Sequence, residues 1–143
     1  ASVDIDINTS TSNELNNNAE LELTKKRIFL QLLVEGKANL YHYVDANSRR
    51  FYYQIDENQI ILLEYKEYIN ENNKIAKNEN YKGELWNNLK CSSLELKSVN
   101  KARYNQADLI SILETYNTCE NELTYTFKKV KKRTSVLLIP TLL

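Results

Sequence analysis

Residues 27–68 read RIFLQLLVEGKANLYHYVDANSRRFYYQIDENQIILLEYKEY, and this stretch decides the fold. Apolar and aromatic runs of high strand propensity occupy residues 27–35, 38–44, 49–55 and 59–68. The breaks between the runs contain Gly, Asn and Asp, which tolerate the backbone angles of tight hairpin turns. Short links join antiparallel neighbours, so the stretch predicts a β-meander.

The first run is apolar on both of its faces. Ile28, Leu30 and Val34 alternate with Phe29 and Leu33 along the predicted strand. An alternation of this kind is typical of a central strand that is covered on both sides. The run at residues 59–68 has a similar pattern, so other elements must cover these faces, and the second half of the chain offers helices.

Two helices are predicted after a polar loop at residues 70–80. In the first, Tyr81, Leu85 and Leu89 form one stripe at helical spacing. The second begins near Asn105, where Asn105 and Asp108 resemble a capping box. We expect this helix to stop at Asn117 in a left-handed conformation. Residues 123–131 are predicted to be extended or weakly helical.

The predicted fold class is α+β, with an antiparallel β-meander of four to five strands followed by two short helices packed on the sheet. An N-terminal strand and polar loop cover residues 1–24, and the meander covers residues 25–68. The helical part of the same domain covers residues 69–127, and a basic linker with an apolar segment covers residues 128–143.

Composition limits the function. The 143 residues suffice for one domain that folds without a metal ion. A net charge of zero gives no general reason to expect a nucleic acid partner. The 2 glycines leave no glycine-rich phosphate loop, and the 1 histidine excludes a multi-histidine metal site within this chain. With no hydrolase motif present, we expect no catalytic residue, no cofactor, no metal and no nucleotide.

Two cysteines, Cys91 and Cys119, each follow a predicted helix. Their spacing fits no CxxC redox or zinc pattern. A structural disulfide, two buried free thiols and a reactive cysteine all remain open at this point. A disulfide forms if the second helix doubles back, whereas antiparallel packing of the two helices would keep the cysteines apart.

Aromatic residues on the meander raise further candidates. His42 is either a general base or a strand histidine on a half-exposed face, and only Asp45 is an acidic neighbour. The tyrosines either pack across strands or form a contact face for a protein or glycan partner, for which Tyr41, Tyr43 and Tyr52 are the candidates. A base-stacking platform is a further alternative, but no Gly-aromatic RNA-binding signature accompanies them.

The C-terminal region has a basic run at residues 128–133 ahead of an apolar run at residues 136–143. This order suits a membrane interface, and the apolar run approaches the length of a transmembrane β-strand. One alternative is that the basic run is a nuclear-localisation or phosphate-binding patch. Another is that it is a solvated linker before an ordinary core strand. The sequence contains no Met, and it ends within the apolar run, so we expect a fragment of a longer protein.

Five strings in the chain form a recognisable set: Phe29 to Tyr41 (FLQLLVEGKANLY), Arg50 to Tyr53 (RFYY), Leu63 to Lys66 (LEYK), Asn80 to Leu85 (NYKGEL) and Tyr116 to Cys119 (YNTC). Together they resemble an uncharacterised family of exported envelope proteins from Bacteroidota. The resemblance covers roughly residues 2–121, and the string LVEGKAxLY is its most specific part. Tyr52 and Asn39 depart from the family pattern, which has Phe and Ser there.

The resemblance implies an exported protein of the periplasm or outer membrane, with this domain ahead of an outer-membrane β-barrel. It also favours a Cys91–Cys119 disulfide, because oxidising compartments preserve such bonds, and it makes residues 136–143 a candidate first barrel strand. Some family members are labelled tRNA modification GTPase. That label implies a nucleotide hydrolase, which the glycine content does not support.

The function expected from the sequence is therefore a non-catalytic periplasmic or surface domain of an outer-membrane-associated protein, acting in structure or partner binding. The alternative is a peptide or glycan receptor domain that uses the tyrosine-rich sheet face. This alternative requires a contiguous, solvent-exposed patch of tyrosine rings.

Overall fold

The structure is a computed structural model that describes residues 2–6, 15–44, 49–119, 124–129 and 136–141. The strands in these ranges are β1 Ser2–Asp6, β2 Leu23–Arg27, β3 Gln31–Glu35, β4 Ala38–Val44, β5 Arg49–Ile55, β6 Ile61–Leu63, β7 Lys66–Ile69, β8 Ile75–Asn78, β9 Thr124–Lys129 and β10 Val136–Thr141. The helices are α1 Asn80–Asn88, α2 Leu96–Lys101 and α3 Gln106–Cys119. The α+β class predicted from the sequence is confirmed.

One antiparallel sheet of six strands, in the order β10-β9-β3-β4-β5-β6, forms the centre of the domain. Strands β3 to β6 follow one another as the predicted meander. The β9–β10 hairpin returns after α3 and pairs with β3. Because β9 takes this edge, β3 lies inside the sheet, as its two apolar faces predicted. The apolar run at 136–141 is thus a strand of this sheet, whereas residues 130–135 and 142–143 lie outside the described residues.

Two of the four predicted strands are divided. The first run breaks between Arg27, the last residue of β2, and Gln31, the first of β3. The pairing of β3 with β4 shifts register between Leu32 and Val34, which breaks the strict alternation. Phe29, which was expected to be covered, is 100% exposed. The fourth run separates into β6 and β7, and β7 pairs with β8 in a hairpin of its own.

Three elements were not predicted: strand β2, which shares only Arg27 with the first run, strand β8 and helix α2. Strand β8 lies in the presumed polar loop, where the Asn70 side chain accepts the N–H groups of Asn72 and Lys74 and closes the turn. Helix α2 is short and buries only Val99. A helix with one buried residue has no apolar period, so the sequence predicts only a connection in this stretch.

The two faces of the sheet are covered differently. The helices pack on one face and bury Leu40, Phe51 and Tyr53 in the main core. The β1–β2 hairpin lies on the opposite face, where Val3 and Ile5 pack in a second, smaller cluster. Each face of the sheet therefore has its own apolar layer.

Candidate partner-binding face and disulfide-linked clamp

The three tyrosines that the sequence singled out share one face of the sheet, here called the tyrosine face. The register sets Leu32, Tyr41, Tyr52 and Leu62 opposite one another on β3, β4, β5 and β6. Residues directly opposite in an antiparallel sheet project from the same face. Tyr43 lies two residues beyond Tyr41 on β4 and projects from this face as well.

Strand β1 covers the β5–β6 half of the tyrosine face. Val3 and Ile5 are 2% and 3% exposed and pack in one cluster with Tyr52 and Leu62. The Tyr52 hydroxyl donates a hydrogen bond to the carbonyl oxygen of Asp4 at 2.8 Å. Burial raises the pKa of Tyr52 far above its ordinary value, because a phenolate there would lose its hydration. The ring of Tyr52 thus lies beneath β1 and is closed to a partner while β1 is in place.

The β3–β4 half of the tyrosine face is less completely covered by the described residues, although Leu30, Tyr41 and Tyr43 pack against the edge of the Val3–Ile5 cluster. Leu30, Leu32, Tyr41 and Tyr43 are half-buried there. The Tyr41 hydroxyl donates to Gln54 Oε1 at 2.8 Å and lies 3.3 Å from Asn39 Nδ2, which donates to it. These bonds fix the orientation of the Tyr41 ring. Of the three candidate contact residues, Tyr41 and Tyr43 therefore offer partly accessible rings and Tyr52 does not.

Cys91 and Cys119 form a disulfide, with their Cα atoms 6.0 Å apart. Cys91 follows α1, and Cys119 is the last residue of α3. The ends of these helices meet, and both sulfur atoms are paired. Of the alternatives that the sequence left open, the structure therefore has the disulfide rather than free thiols.

Asn117, two residues before Cys119, clamps α3 to the sheet. Its Oδ1 accepts the N–H of Ala38 at 2.8 Å, and its Nδ2 donates to the carbonyl oxygen of Ala38 at 3.0 Å. Both residues are fully buried. The expectation that Asn117 ends the helix is wrong, since the helix continues to Cys119 and uses the amide as a tertiary contact. The signal for this role was its position beside Leu113 and Tyr116 on the buried stripe.

The turn between β3 and β4 is built around this clamp. A Cβ atom at Gly36 would lie 2.5 Å from Asn117 Nδ2 and 2.8 Å from its Cγ, so only glycine lets the turn approach so closely. The Gly36 N–H is bound by Asn39 Oδ1 at 3.0 Å. Lys37 forms an ion pair with Asp56 at 3.3 Å. The clamp thus joins the string LVEGKA of the first half to the string YNTC of the second.

His42 is a member of the helix-side layer. Its ring is 6% exposed and stacks on Phe51 with ring centres 4.8 Å apart. Phe51 in turn contacts Tyr104 edge to face at 5.0 Å. The half-exposed environment expected for His42 is therefore wrong, because α-helical residues cover this face. Asp45, its acidic neighbour in sequence, lies outside the described residues.

Tyr104 holds the edge of the sheet beside this cluster. Its hydroxyl accepts the Phe51 N–H at 2.8 Å and donates to the carbonyl oxygen of Leu63 at 2.8 Å. The oxygen therefore bridges β5 and β6. Burial raises the pKa of Tyr104 far above its ordinary value, so the phenol stays protonated and able to donate.

A groove of about 270 Å³ lies between α2 and α3. Its described lining is Ser93, Leu94, Ser98, Lys101, Ala102, Asp108, Ser111, Ile112 and Thr115. This lining contains no aromatic ring on which a sugar could stack. Across the described ranges, no group of three His, Cys, Asp or Glu side chains could hold a metal ion.

Within the part of the chain that the structure describes, no helix has both the length and the apolar character needed to cross a membrane. No protein-family model, curated protein or solved structure matches this chain. The family resemblance drawn from the sequence therefore stays a prediction.

Proposed function

We propose that this chain is a non-catalytic domain of the cell envelope, located in the periplasm or at the surface and associated with the outer membrane. Its role is structural or partner-binding. The single observation that carries the proposal is the Cys91–Cys119 disulfide. Structural disulfides form and persist in oxidising compartments and are rare in the cytosol.

The positions of the glycines support a non-catalytic role over the GTPase suggested by the family label. Nucleotide phosphate loops need several glycines next to a helix N-terminus, where backbone N–H groups surround the phosphates. Gly36 lies in the β3–β4 turn against Asn117, and Gly83 lies inside α1. Neither position has the geometry of a phosphate loop.

Fractionation with differential alkylation tests the location. Native cells are lysed in acid to freeze thiol exchange, and the protein is unfolded, alkylated and weighed before and after reduction. We expect it in the envelope fraction, with both thiols alkylated only after reduction. The Cys91→Ser variant is the matched control, because its remaining thiol must react without reduction. Recovery in the cytosol with two reactive thiols would overturn the proposal.

A second candidate is a peptide or glycan receptor domain that uses the tyrosine face. The observation that favours it is the partial burial of Tyr41 and Tyr43 on the β3–β4 half of this face, as the described residues leave it. Tyrosine rings suit contact surfaces because they combine apolar area with a hydroxyl at low entropic cost. Substitution of Tyr43 by serine is expected to abolish capture of such a ligand, and it should also lower the unfolding midpoint because Tyr43 packs against the Val3–Ile5 cluster. An unchanged affinity would remove this candidate.

A further inference from the structure

We propose that the second layer of the fold is a cover that opens as a unit and uncovers Tyr52, while the helix-side core stays folded. This N-terminal cover consists of residues 2–6 and 15–27, which include β1 and β2. The described residues from 31 onward are called the body. The inference concerns a conformational device and does not depend on either function proposed above.

The cover packs on the body through an apolar cluster of its own. Val3 and Ile5 of the cover meet Tyr52 and Leu62 of the body there. The main core, between the helices and the sheet, shares no described residue with this cluster. Apolar contacts that form separate clusters are lost separately, and units of local opening are divided along such lines.

A disulfide and a buried clamp stabilise the body. Cys91 is bonded to Cys119, and Asn117 binds both main-chain groups of Ala38. All four residues belong to the body. Opening of the cover therefore leaves both of these ties intact.

Two buried side chains hold the cover on its cluster. Val3 and Ile5 are 2% and 3% exposed, whereas every residue of β2 is exposed. An isolated two-stranded hairpin is at best marginally stable in water. The β1–β2 hairpin therefore depends on its contact with the body, and we expect it to lose its order when that contact opens.

Two polar side chains of the β7–β8 hairpin hold the other part of the cover. Lys66 and Asn78 lie opposite each other on this hairpin. The Asn78 amide donates to the carbonyl oxygen of Ala19 at 2.8 Å, and the Lys66 ammonium donates to that of Glu20 at 3.1 Å. Water replaces such bonds when a segment opens, so each bond contributes little net stability.

A main-chain bond joins the same two parts. The Ile69 N–H of β7 donates to the carbonyl oxygen of Asn16 in the cover at 2.8 Å. The Ile69 amide therefore belongs to the body but is protected by the cover. Its hydrogen exchange should report opening of the cover, because its bond partner leaves with the cover.

Opening changes the access to Tyr52. In the closed state, the Tyr52 hydroxyl donates to the carbonyl oxygen of Asp4, and the ring lies beneath β1. A partner that contacts Tyr52 would bind the open state alone, and its apparent affinity would scale with the open population. For such a partner the cover acts as an autoinhibitory contact.

Native-state hydrogen exchange of the full chain in low urea tests the proposal. We expect the amides of β1 and Ile69 to have protection factors about tenfold or more below that of Ala38, with a weaker urea dependence. Ala38 should exchange through global unfolding, because its N–H is bound within the body. One protection factor and one urea dependence shared by all these amides would overturn the proposal.

A matched pair of variants tests the attachment. Lys66→Met removes the ammonium that binds Glu20, and Lys77→Met makes the same change at an exposed position of β8. Lys66→Met should lower the protection of β1 and Ile69 by about tenfold and leave Ala38 unchanged, whereas Lys77→Met should change none of them. An equal loss at Ala38 would show that cover and body open together, against the proposal.

Asn78→Ala is the second variant, since Lys66→Met could disturb β7 itself. It removes the bond to Ala19, and the same selective loss of protection is expected. Unchanged protection of β1 in both variants would mean that these bonds do not hold the cover, and the inference would fail.

Nitration by tetranitromethane, mapped by peptide mass, tests whether opening exposes the ring. Lys66→Met should raise the nitration rate of Tyr52 by about tenfold, in step with the exchange of β1, and leave Tyr53 on the helix side unchanged. Faster exchange of β1 with an unchanged rate at Tyr52 would show that the ring stays covered and would refute the inference. None of these outcomes changes the expected envelope location, which the alkylation experiment tests separately.

Discussion

The side-chain amide of Asn117 binds the main chain of Ala38 through both of its polar groups, with N–H to Oδ1 at 2.8 Å and Nδ2 to the carbonyl oxygen at 3.0 Å. The amide acts as a neighbouring strand would, since it accepts and donates one bond at the same residue. Ala38 is the first residue of β4, directly after the turn. The last turn of α3 thereby fixes the position at which β4 begins.

Asn117→Ala is expected to lower the free energy of unfolding by about 3 kcal/mol. The substitution leaves the N–H and C=O of Ala38 buried without partners, and each such group costs about 1–3 kcal/mol. Thr118→Ala, an exposed change in the same helical turn, is the matched control and should change stability by less than about 0.5 kcal/mol. Urea unfolding of both variants measures the difference. Equal midpoints would show that the clamp does not stabilise the fold.

The two glycines are expected to respond to alanine with opposite signs. Gly36→Ala places a methyl group 2.5 Å from Asn117 Nδ2, and such overpacking costs about 1–3 kcal/mol. Gly83→Ala meets no atom within 4 Å inside α1, so it should stabilise by about 0.5–1 kcal/mol. Chemical denaturation checks both signs.

A double-mutant cycle tests the cause of the Gly36 effect. If the clash with the Asn117 amide is responsible, Gly36→Ala combined with Asn117→Ala should destabilise less than the sum of the single changes. Strict additivity of the two changes would contradict this explanation.

Reduction of the Cys91–Cys119 disulfide is expected to lower the stability by about 3–4 kcal/mol, since the bond closes a chain separation of 28 residues. In thermal unfolding this corresponds to a fall in Tm of roughly 10 °C for a domain of this size. The double variant Cys91→Ser with Cys119→Ser should have the Tm of the reduced protein, and this Tm should not change when reductant is added. A wild-type Tm that is the same with and without reductant would argue against the bond.

Alkaline pH is expected to unfold the protein through its tyrosines. Burial raises the pKa of Tyr52 and Tyr104, and burial with the bond to Glu67 raises the pKa of Tyr65 to about 12. The unfolded chain ionises near pH 10 while the folded chain keeps these protons, so stability is complete below about pH 10 and falls above it. The slope is about 1.4 kcal/mol per pH unit for each tyrosine that stays neutral in the folded state.

Urea midpoints measured between about pH 9 and pH 12, together with tyrosinate absorbance, check this dependence. Tyr65→Phe removes one titrating group at a half-buried site and should flatten the slope. Tyrosinate absorbance that rises fully before unfolding would contradict the prediction.

At acid pH the start of α3 is expected to weaken. The Asp108 carboxylate accepts hydrogen bonds from the main-chain N–H of Arg103 at 2.8 Å and from the Nε–H group of Arg103 at 3.2 Å. These bonds hold the pKa of Asp108 below its usual range. A lowered pKa stabilises the fold above about pH 4, and this stability is lost as pH falls through the folded value. Asp108→Asn should therefore flatten the acid side of the stability profile. Identical acid profiles would show that the carboxylate contributes nothing.

Local sequence patterns were sufficient to predict the elements whose bounds depend on residues close together in the chain. The strands β4 and β5 have the boundaries that the apolar runs predicted, because alternating side chains and hairpin turns act between neighbours in sequence. The start of α3 was predicted for the same reason. The Asn105 side chain accepts the Asp108 N–H at 2.8 Å, as the predicted capping box requires. The Asp108 carboxylate, however, binds Arg103 and does not complete the capping box.

The sequence did not show which layer covers each ring. Tyr41 and Tyr52 are cross-strand neighbours of the same type, yet one is half-buried and the other lies under β1. The difference depends on Val3 and Ile5, which are distant in the chain, and no period within β4 or β5 carries that information. The prediction that Phe29 is covered failed in the same way, because the chain passes from the β1–β2 hairpin to the central sheet between Arg27 and Gln31.

By itself, the sequence determined the α+β class, the meander and the main helices, since propensity, turn chemistry and side-chain period are properties of short segments. The tertiary structure alone decided that the cysteines meet, that Asn117 clamps Ala38 instead of ending a helix, and that β1 covers Tyr52 while Tyr41 and Tyr43 are half-buried. These are contacts between segments far apart in the chain, whose formation depends on the packing of the whole domain.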